Sequence, residues 1–129
     1  NKLVDSCYSF WQGASFPLVQ AVLEAEGDSS GDCNLFNTTA LLDYLLVCAQ
    51  CNHGGFRDKP GKGRDYYHTC YSISGLAMAA ACSATCDDEP PPSTWTRSLR
   101  LINPLHNISA RKAEAALSYF GNLDTAAPA

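Results

Sequence analysis

Apolar positions along this chain recur at helical rather than strand spacing. Leu3, Val4, Cys7, Phe10 and Trp11 fall at i, i+3 and i+4 intervals, which predicts helix over 3–26, in two pieces. Gly13 and Pro17 punctuate that stretch, and Pro17 suits the first turn of a second helix at 18–25. A Gly/Asp/Ser loop follows over 27–32. Asn34 is placed to cap a long helix through Gln50, with Leu35, Thr38, Leu42, Leu45, Leu46 and Ala49 on or near one face.

Residues 52–64 form a Gly/Pro/Lys-rich loop, and Asp65 can cap a helix over 66–84. Small residues crowd that helix (Ser72, Ser74, Gly75, Ala77, Ala79, Ala80, Ala81), so it is expected to pack closely against its neighbours. Residues 87–94, with three consecutive prolines, read as an irregular surface segment, part of an irregular loop over 86–101. Ser109 can cap a last helix over 110–120, stopped by Gly121, with 124–129 as a frayed tail. No strand-type alternation of any length occurs. The expected class is all-α: helix pairs that stack as a solenoid or close into a toroid, a few pairs alone burying too little surface.

Composition narrows the partners. A formal net charge of −4 and a pI near 5.1 argue against a general nucleic-acid or membrane-surface binder. No apolar run approaches the roughly 20 residues that span a bilayer. The seven cysteines are an odd number, and several lie in apolar helical stretches. They read as free thiols in a reducing, cytoplasmic setting rather than as a disulfide framework. The chain opens at Asn1 without Met and without a secretory signal pattern, and is read as a segment of a longer protein.

One internal repeat carries candidate chemistry. Cys7-Tyr8-Ser9 returns as Cys70-Tyr71-Ser72, an offset of 63 residues that places His68 where Asp5 stands. Equivalent positions on successive inner helices of a repeat fold face the same space, so Asp5 and His68 are expected to converge. Cys7 lies two residues past Asp5, where the irregular turn of a helix start lets both point at one ion. A carboxylate, a thiolate and an imidazole are good zinc ligands, and three protein ligands leave the fourth position open, as in catalytic sites. The plain alternative makes Cys7 a packed core thiol, Asp5 a helix cap and His68 a hydrogen-bonded core histidine. Cys48 and Cys51 form a lone Cys-x-x-Cys without a second pair at finger spacing, and read as buried or loop thiols.

Three stretches resemble a known family. Residues 1–13, reading Asn-Lys-Leu-Val-Asp-Ser-Cys-Tyr-Ser-Phe-Trp-Gln-Gly, are similar to the opening of the zinc-ligand segment of the protein prenyltransferase β subunits. Residues 55–71, Gly-Phe-Arg-Asp-Lys-Pro-Gly-Lys-Gly-Arg-Asp-Tyr-Tyr-His-Thr-Cys-Tyr, are similar to the second such segment. Residues 103–108 resemble a late His-Pro-x-Tyr-Asn-Ile stretch. The match runs in register along nearly the whole chain and is weakest over 13–53 and 79–100. Ser6 and Ala14 replace glycines of the family pattern, with modest change expected, and His106 stands where tyrosine is usual.

The resemblance implies that residues 1–129 are the C-terminal part of an α/α toroid (an α6–α6 barrel). It implies zinc at Asp5, Cys7 and His68, and a farnesyl group moved from farnesyl diphosphate to the cysteine of a C-terminal Cys-a-a-X motif. It further implies that Lys2 and Tyr8 bind the diphosphate, with Lys62 lining the same cleft. Lys59, Lys62 and Arg64 also fit a solvated basic loop. Asp58 is expected to hold magnesium against the diphosphate, an oxygen ligand for a hard cation. The similar geranylgeranyl-transferring branch has lysine there, so Asp58 favours farnesyl. Trp11 and Tyr67 are expected to wall the isoprenoid and peptide pocket. An α subunit is the implied partner, and the segment alone is expected to be inactive. Two readings remain beside this one: a geranylgeranyl-type β subunit, and a helical-repeat interaction module without catalysis.

Overall fold

Helix α4, Tyr66–Ser83, organises the chain, and most other elements pack on it or lead into it. The structure is a computed structural model that describes residues 4–27, 35–83 and 99–125, with side chains to 122. In chain order the remaining elements are α1 (Tyr8–Trp11), α2 (Ser15–Ala25) and α3 (Thr38–Asp43), which continues into a π-helical turn over Tyr44–Ala49. Then come β1 (Phe56–Arg57), β2 (Arg64–Asp65), β3 (Ile102–Asn103), β4 (Ile108–Ser109) and α5 (Ala110–Thr125).

The Asp65 carboxylate accepts the His68 backbone N–H at 2.8 Å and so caps α4, as its sequence position predicts. Small residues then let α4 approach its neighbours. A Cβ added to Gly75 would stand 2.1 Å from Ser9 Oγ of α1, far inside contact distance. One core cluster joins Leu42 of α3, Leu45 and Ala49 of the π turn, Phe56 of β1, and Leu76 and Ala79 of α4. A second joins Phe10, Ala14 and Met78. Leu45 is fully buried, worth about 1.5–3 kcal/mol of apolar transfer.

Several expectations are corrected. Asn34 lies outside the described residues; the helix cap is Asn37, whose side chain accepts the Ala40 N–H at 2.8 Å. The helix through this region is not uniformly α: Gln50 N–H bonds back to Leu45 O at 2.8 Å, five residues earlier. Its end is then held by Arg57, whose guanidinium donates to the Cys48 carbonyl at 3.0 and 3.1 Å.

Two short antiparallel pairs, β1 with β2 and β3 with β4, appear where no strand is predicted. Two residues a side are too few to show alternation. The first pair sets Phe56 opposite Asp65 and so brings the end of the 52–64 loop to the start of α4. Gly121 does not stop the last helix, which runs on to Thr125. Glycine permits a left-handed stop but does not impose one, and in helix it costs only about 1 kcal/mol.

The 87–94 segment, Cys33, Cys86 and residues 126–129 lie outside the described residues, as does most of the 86–101 loop. Among the described residues Cys7, Cys48, Cys51 and Cys70 are free thiols. Among the described residues no helix is long and apolar enough to cross a membrane.

Candidate metal centre

The segment before α1 turns sharply enough to aim two side chains one way. The Cys7 N–H donates to Asp5 Oδ1 at 2.9 Å, an Asx turn, and the Tyr8 N–H donates to the Asp5 carbonyl at 3.2 Å. Cys7 is buried at the helix start. From the other side α4 delivers His68 in its first turn. His68 Nε2 lies 3.3 Å from Asp5 Oδ1, and the ligand atoms of Asp5, Cys7 and His68 all lie within 4.8 Å of one another. Among the described residues this is the one such group.

The dimensions suit a metal. Bonds of about 2.0–2.3 Å in tetrahedral geometry put ligand atoms about 3.3–3.8 Å apart. The 3.3 Å oxygen–nitrogen separation already has that value. The imidazole is also oriented. Its Nδ1 faces Asp65 Oδ2 at 2.6 Å, so a proton there is donated to the carboxylate and Nε2 turns its lone pair toward Asp5 and Cys7. One carboxylate thus caps α4 and sets the tautomer.

Protonation follows from the same contacts. Burial pushes the Asp5 carboxyl up. Hydrogen bonds from the Cys7 thiol and N–H, with the charge of Lys59 and that of His68 when its ring is protonated, outweigh burial and leave it below its ordinary value. Burial, then the hydrogen bond to Asp5, pushes the Cys7 thiol up to about 11, against a smaller opposing effect of the Tyr67 hydroxyl. Without a cation the cluster is therefore a carboxylate holding a neutral thiol. A divalent cation would replace that thiol proton.

Around the cluster stands an aromatic wall. Trp11 Nε1 donates to the Tyr67 hydroxyl at 3.0 Å. Tyr71 packs against both, with ring centroids 4.5 Å from Trp11 and 4.9 Å from Tyr67. Trp11 and Tyr67 are each about half exposed, at 51% and 49%. Tyr8 and Asp5 line a cleft of about 370 Å³, with Gln12, Phe16, Phe36 and Tyr44 among its other walls.

The remaining site candidates divide. Asp58 reaches the neighbourhood through its backbone, its carbonyl accepting the Ser6 N–H at 2.8 Å. Its Oδ2 stands 3.4 Å from Lys59 Nζ, while the buried Oδ1 has no hydrogen-bond partner among the described residues. An orphaned carboxylate oxygen is a fit for a hard cation. Lys59 also donates to the Val4 carbonyl, and Arg64 donates to the carbonyls of His53 and Gly54. Those two cations serve the local backbone. Lys62 is exposed at the loop turn, where its N–H bonds the Lys59 carbonyl. Lys2 lies outside the described residues. Cys48 and Cys51 belong to no metal-capable group among the described residues.

Sequence reasoning assigned Asp65 only a capping role and passed over Tyr71 and Tyr44. The spacing held a signal for the first two: an aspartate three residues before a candidate ligand histidine, and aromatics at i and i+4 on one helix face.

Comparison with known proteins identifies the family of the chain. The family model described as the prenyltransferase alpha-alpha toroid domain matches residues 1–108. The chain is 42% identical over 129 residues to the protein farnesyltransferase subunit beta of Saccharomyces cerevisiae, covering 93% of this chain and 28% of that protein. It is 31% identical over 183 residues to the corresponding subunit of Pisum sativum, covering 95% and 44%. Against that of Schizosaccharomyces pombe identity is 46% over 80 residues, covering 62% and 21%. The chain thus spans less than half the length of each of these relatives. With a helical architecture and a family match over most of its length, the chain belongs to the prenyltransferase α/α toroid family, and the relatives named above are β subunits of protein farnesyltransferase.

Proposed function

We propose that this chain is the zinc-carrying part of a protein farnesyltransferase β subunit. The activity is transfer of a farnesyl group from farnesyl diphosphate to the cysteine thiol of a C-terminal Cys-a-a-X motif, in a cytoplasmic heterodimer with an α subunit. The observation that carries the reading is the convergence of Asp5, Cys7 and His68 within 4.8 Å, with His68 oriented by Asp65.

In this reading Asp5, Cys7 and His68 hold zinc and leave one position for the acceptor sulfur. Zinc held there lowers the pKa of an incoming thiol, ordinarily about 8.5, so that thiolate is present near neutral pH. A carbon–sulfur bond forms at C1 of the farnesyl group as the carbon–oxygen bond to diphosphate breaks. The leaving diphosphate gathers negative charge, which donors and cations must meet. Tyr8 donates from its hydroxyl, Lys2 and Lys62 supply positive charge, and Asp58 holds magnesium against the phosphate oxygens. Trp11 and Tyr67 present aromatic faces to the isoprenoid and the peptide, as an apolar chain requires.

Asp58 favours farnesyl over geranylgeranyl, because the orphaned Oδ1 offers magnesium a ligand where lysine would offer a fixed cation.

Metal analysis of the heterodimer built from the full-length subunit tests the reading. One zinc per heterodimer is expected, lost in Asp5→Ala, Cys7→Ala and His68→Ala along with turnover. A wild-type heterodimer free of zinc would favour the non-catalytic module and end the enzyme reading. Asp58→Lys is expected to flatten the magnesium response of turnover, and an unchanged response removes the magnesium role of Asp58.

A further inference from the structure

Between the two zinc-ligand candidates of the first segment sits Ser6, only 1% exposed. Its hydroxyl is engaged on both sides. Ser72 Oγ of α4, itself fully buried, donates to Ser6 Oγ at 3.0 Å, and Ser6 Oγ donates to the Arg57 carbonyl at 2.8 Å. One residue further along the loop, the Asp58 carbonyl accepts the N–H of the same Ser6 at 2.8 Å. Lys59 Nζ adds a weaker bond to the Val4 carbonyl at 3.4 Å.

The segment bearing Asp5 and Cys7 is therefore tied to the loop bearing Asp58 through Ser6 itself. A buried hydroxyl that both donates and accepts is fully satisfied, and each bond in such a chain polarises the next. Two hydrogen bonds to consecutive carbonyls, from one residue, fix the peptide plane from which the Asp58 side chain departs. A glycine could make only the backbone one.

The geometry points to Ser6 as a positioning residue that holds the Asp58 loop in register with the Asp5–Cys7–His68 centre, its hydroxyl relaying from Ser72 on α4 to the Arg57 carbonyl. The consequence for magnesium rests on the reading of Asp58 given above; the tie between the loop and the ligand segment does not.

Ser6→Ala, which keeps the backbone bond, tests this in the heterodimer of the full-length subunit, with magnesium and zinc as the probes. Zinc content is expected to stay at one per heterodimer. The magnesium concentration for half-maximal turnover is expected to rise about 3- to 10-fold, the worth of one net hydrogen bond. Deuterium exchange over 56–62 is expected to quicken about tenfold while 74–80 in α4 stays protected. Ser72→Ala leaves the Ser6–Arg57 bond in place and is expected to do less, and the double variant to match Ser6→Ala, because the chain passes through Ser6.

Zinc lost from Ser6→Ala in step with turnover overturns the proposal, since Ser6 is then ordinary support for the ligands. So does a magnesium requirement raised by Asp58→Asn but unmoved by Ser6→Ala. If Asp58→Asn leaves the magnesium requirement unchanged, the magnesium reading of Asp58 falls by itself. Exchange over 56–62 then decides: quickening upholds the positioning role, and unchanged exchange overturns it.

Discussion

Helices α4 and α5 are close in length, 18 and 16 residues, and opposite in what covers them. In α4 a continuous run from Ser74 to Ala80 is buried, polar and apolar faces alike. In α5 only Ala113 is buried among the residues whose side chains are described, and Leu117, Tyr119 and Phe120 lie open. Yet α5 has the clearer apolar stripe in sequence, and α4 is small and bland all round. Burial on α4 comes from α1, α3 and the first hairpin closing around it, which small side chains allow. A sharp stripe shows that a helix has a face to cover, and tells nothing of whether this stretch of chain covers it. The candidate site sits at the first turn of the buried helix, where its ligands inherit a rigid support.

The contrast can be broken most forcefully in the core. Leu45→Ala, in the cluster against α4, is expected to cost about 2–5 kcal/mol of stability, while Leu117→Ala on α5 stays within about 0.5 kcal/mol. Urea unfolding of the full-length protein checks both, and equal costs would mean α5 is as well packed as α4.

At the site end of α4, zinc uptake tests the protonation state. The Cys7 thiol, pushed up to about 11, holds its proton at neutral pH and must release it to bind metal. Zinc affinity is therefore expected to rise about tenfold per pH unit between pH 7 and 9, one proton being released per ion. Competition with a chelator across that range reads the slope, and a flat profile contradicts a neutral Cys7.

Asp65→Asn probes the orientation of His68 by removing the anionic acceptor at Nδ1. It is expected to weaken zinc binding about 10- to 100-fold, read by the same competition. An effect under twofold would leave Asp65 as a cap alone.

The smallest and sharpest test is a pair of glycines. Gly75→Ala puts a methyl against Ser9 and is expected to destabilise by about 1–3 kcal/mol. Gly121→Ala on α5 meets nothing within 4 Å and is expected to stabilise by up to about 1 kcal/mol. Thermal unfolding distinguishes the signs, and a shared sign erases the difference between the two helices.

Much of the helical plan was legible because it is local. The break between α1 and α2, the Asp65 cap and the extent of α4 follow from turn residues and capping chemistry a few positions apart. The repeat of Cys-Tyr-Ser carried more, since it implied that Asp5 and His68 share a neighbourhood, and the two side chains lie 3.3 Å apart. Less legible were Asn37 in place of Asn34 as a described cap, the π turn, and the run of α5 past Gly121. Each depends on small differences between nearly equal backbone choices.

The sequence by itself determined which stretches are helical and which residues are candidates for chemistry, because residue type and periodicity are properties of the chain before it folds. Only the tertiary structure decided that Ser6 bridges Ser72 and Arg57, and that α4 rather than α5 is enclosed. The bridge depends on groups 51 and 66 residues apart meeting within hydrogen-bond reach, and the enclosure on separate elements closing on one helix. No local pattern encodes such distances.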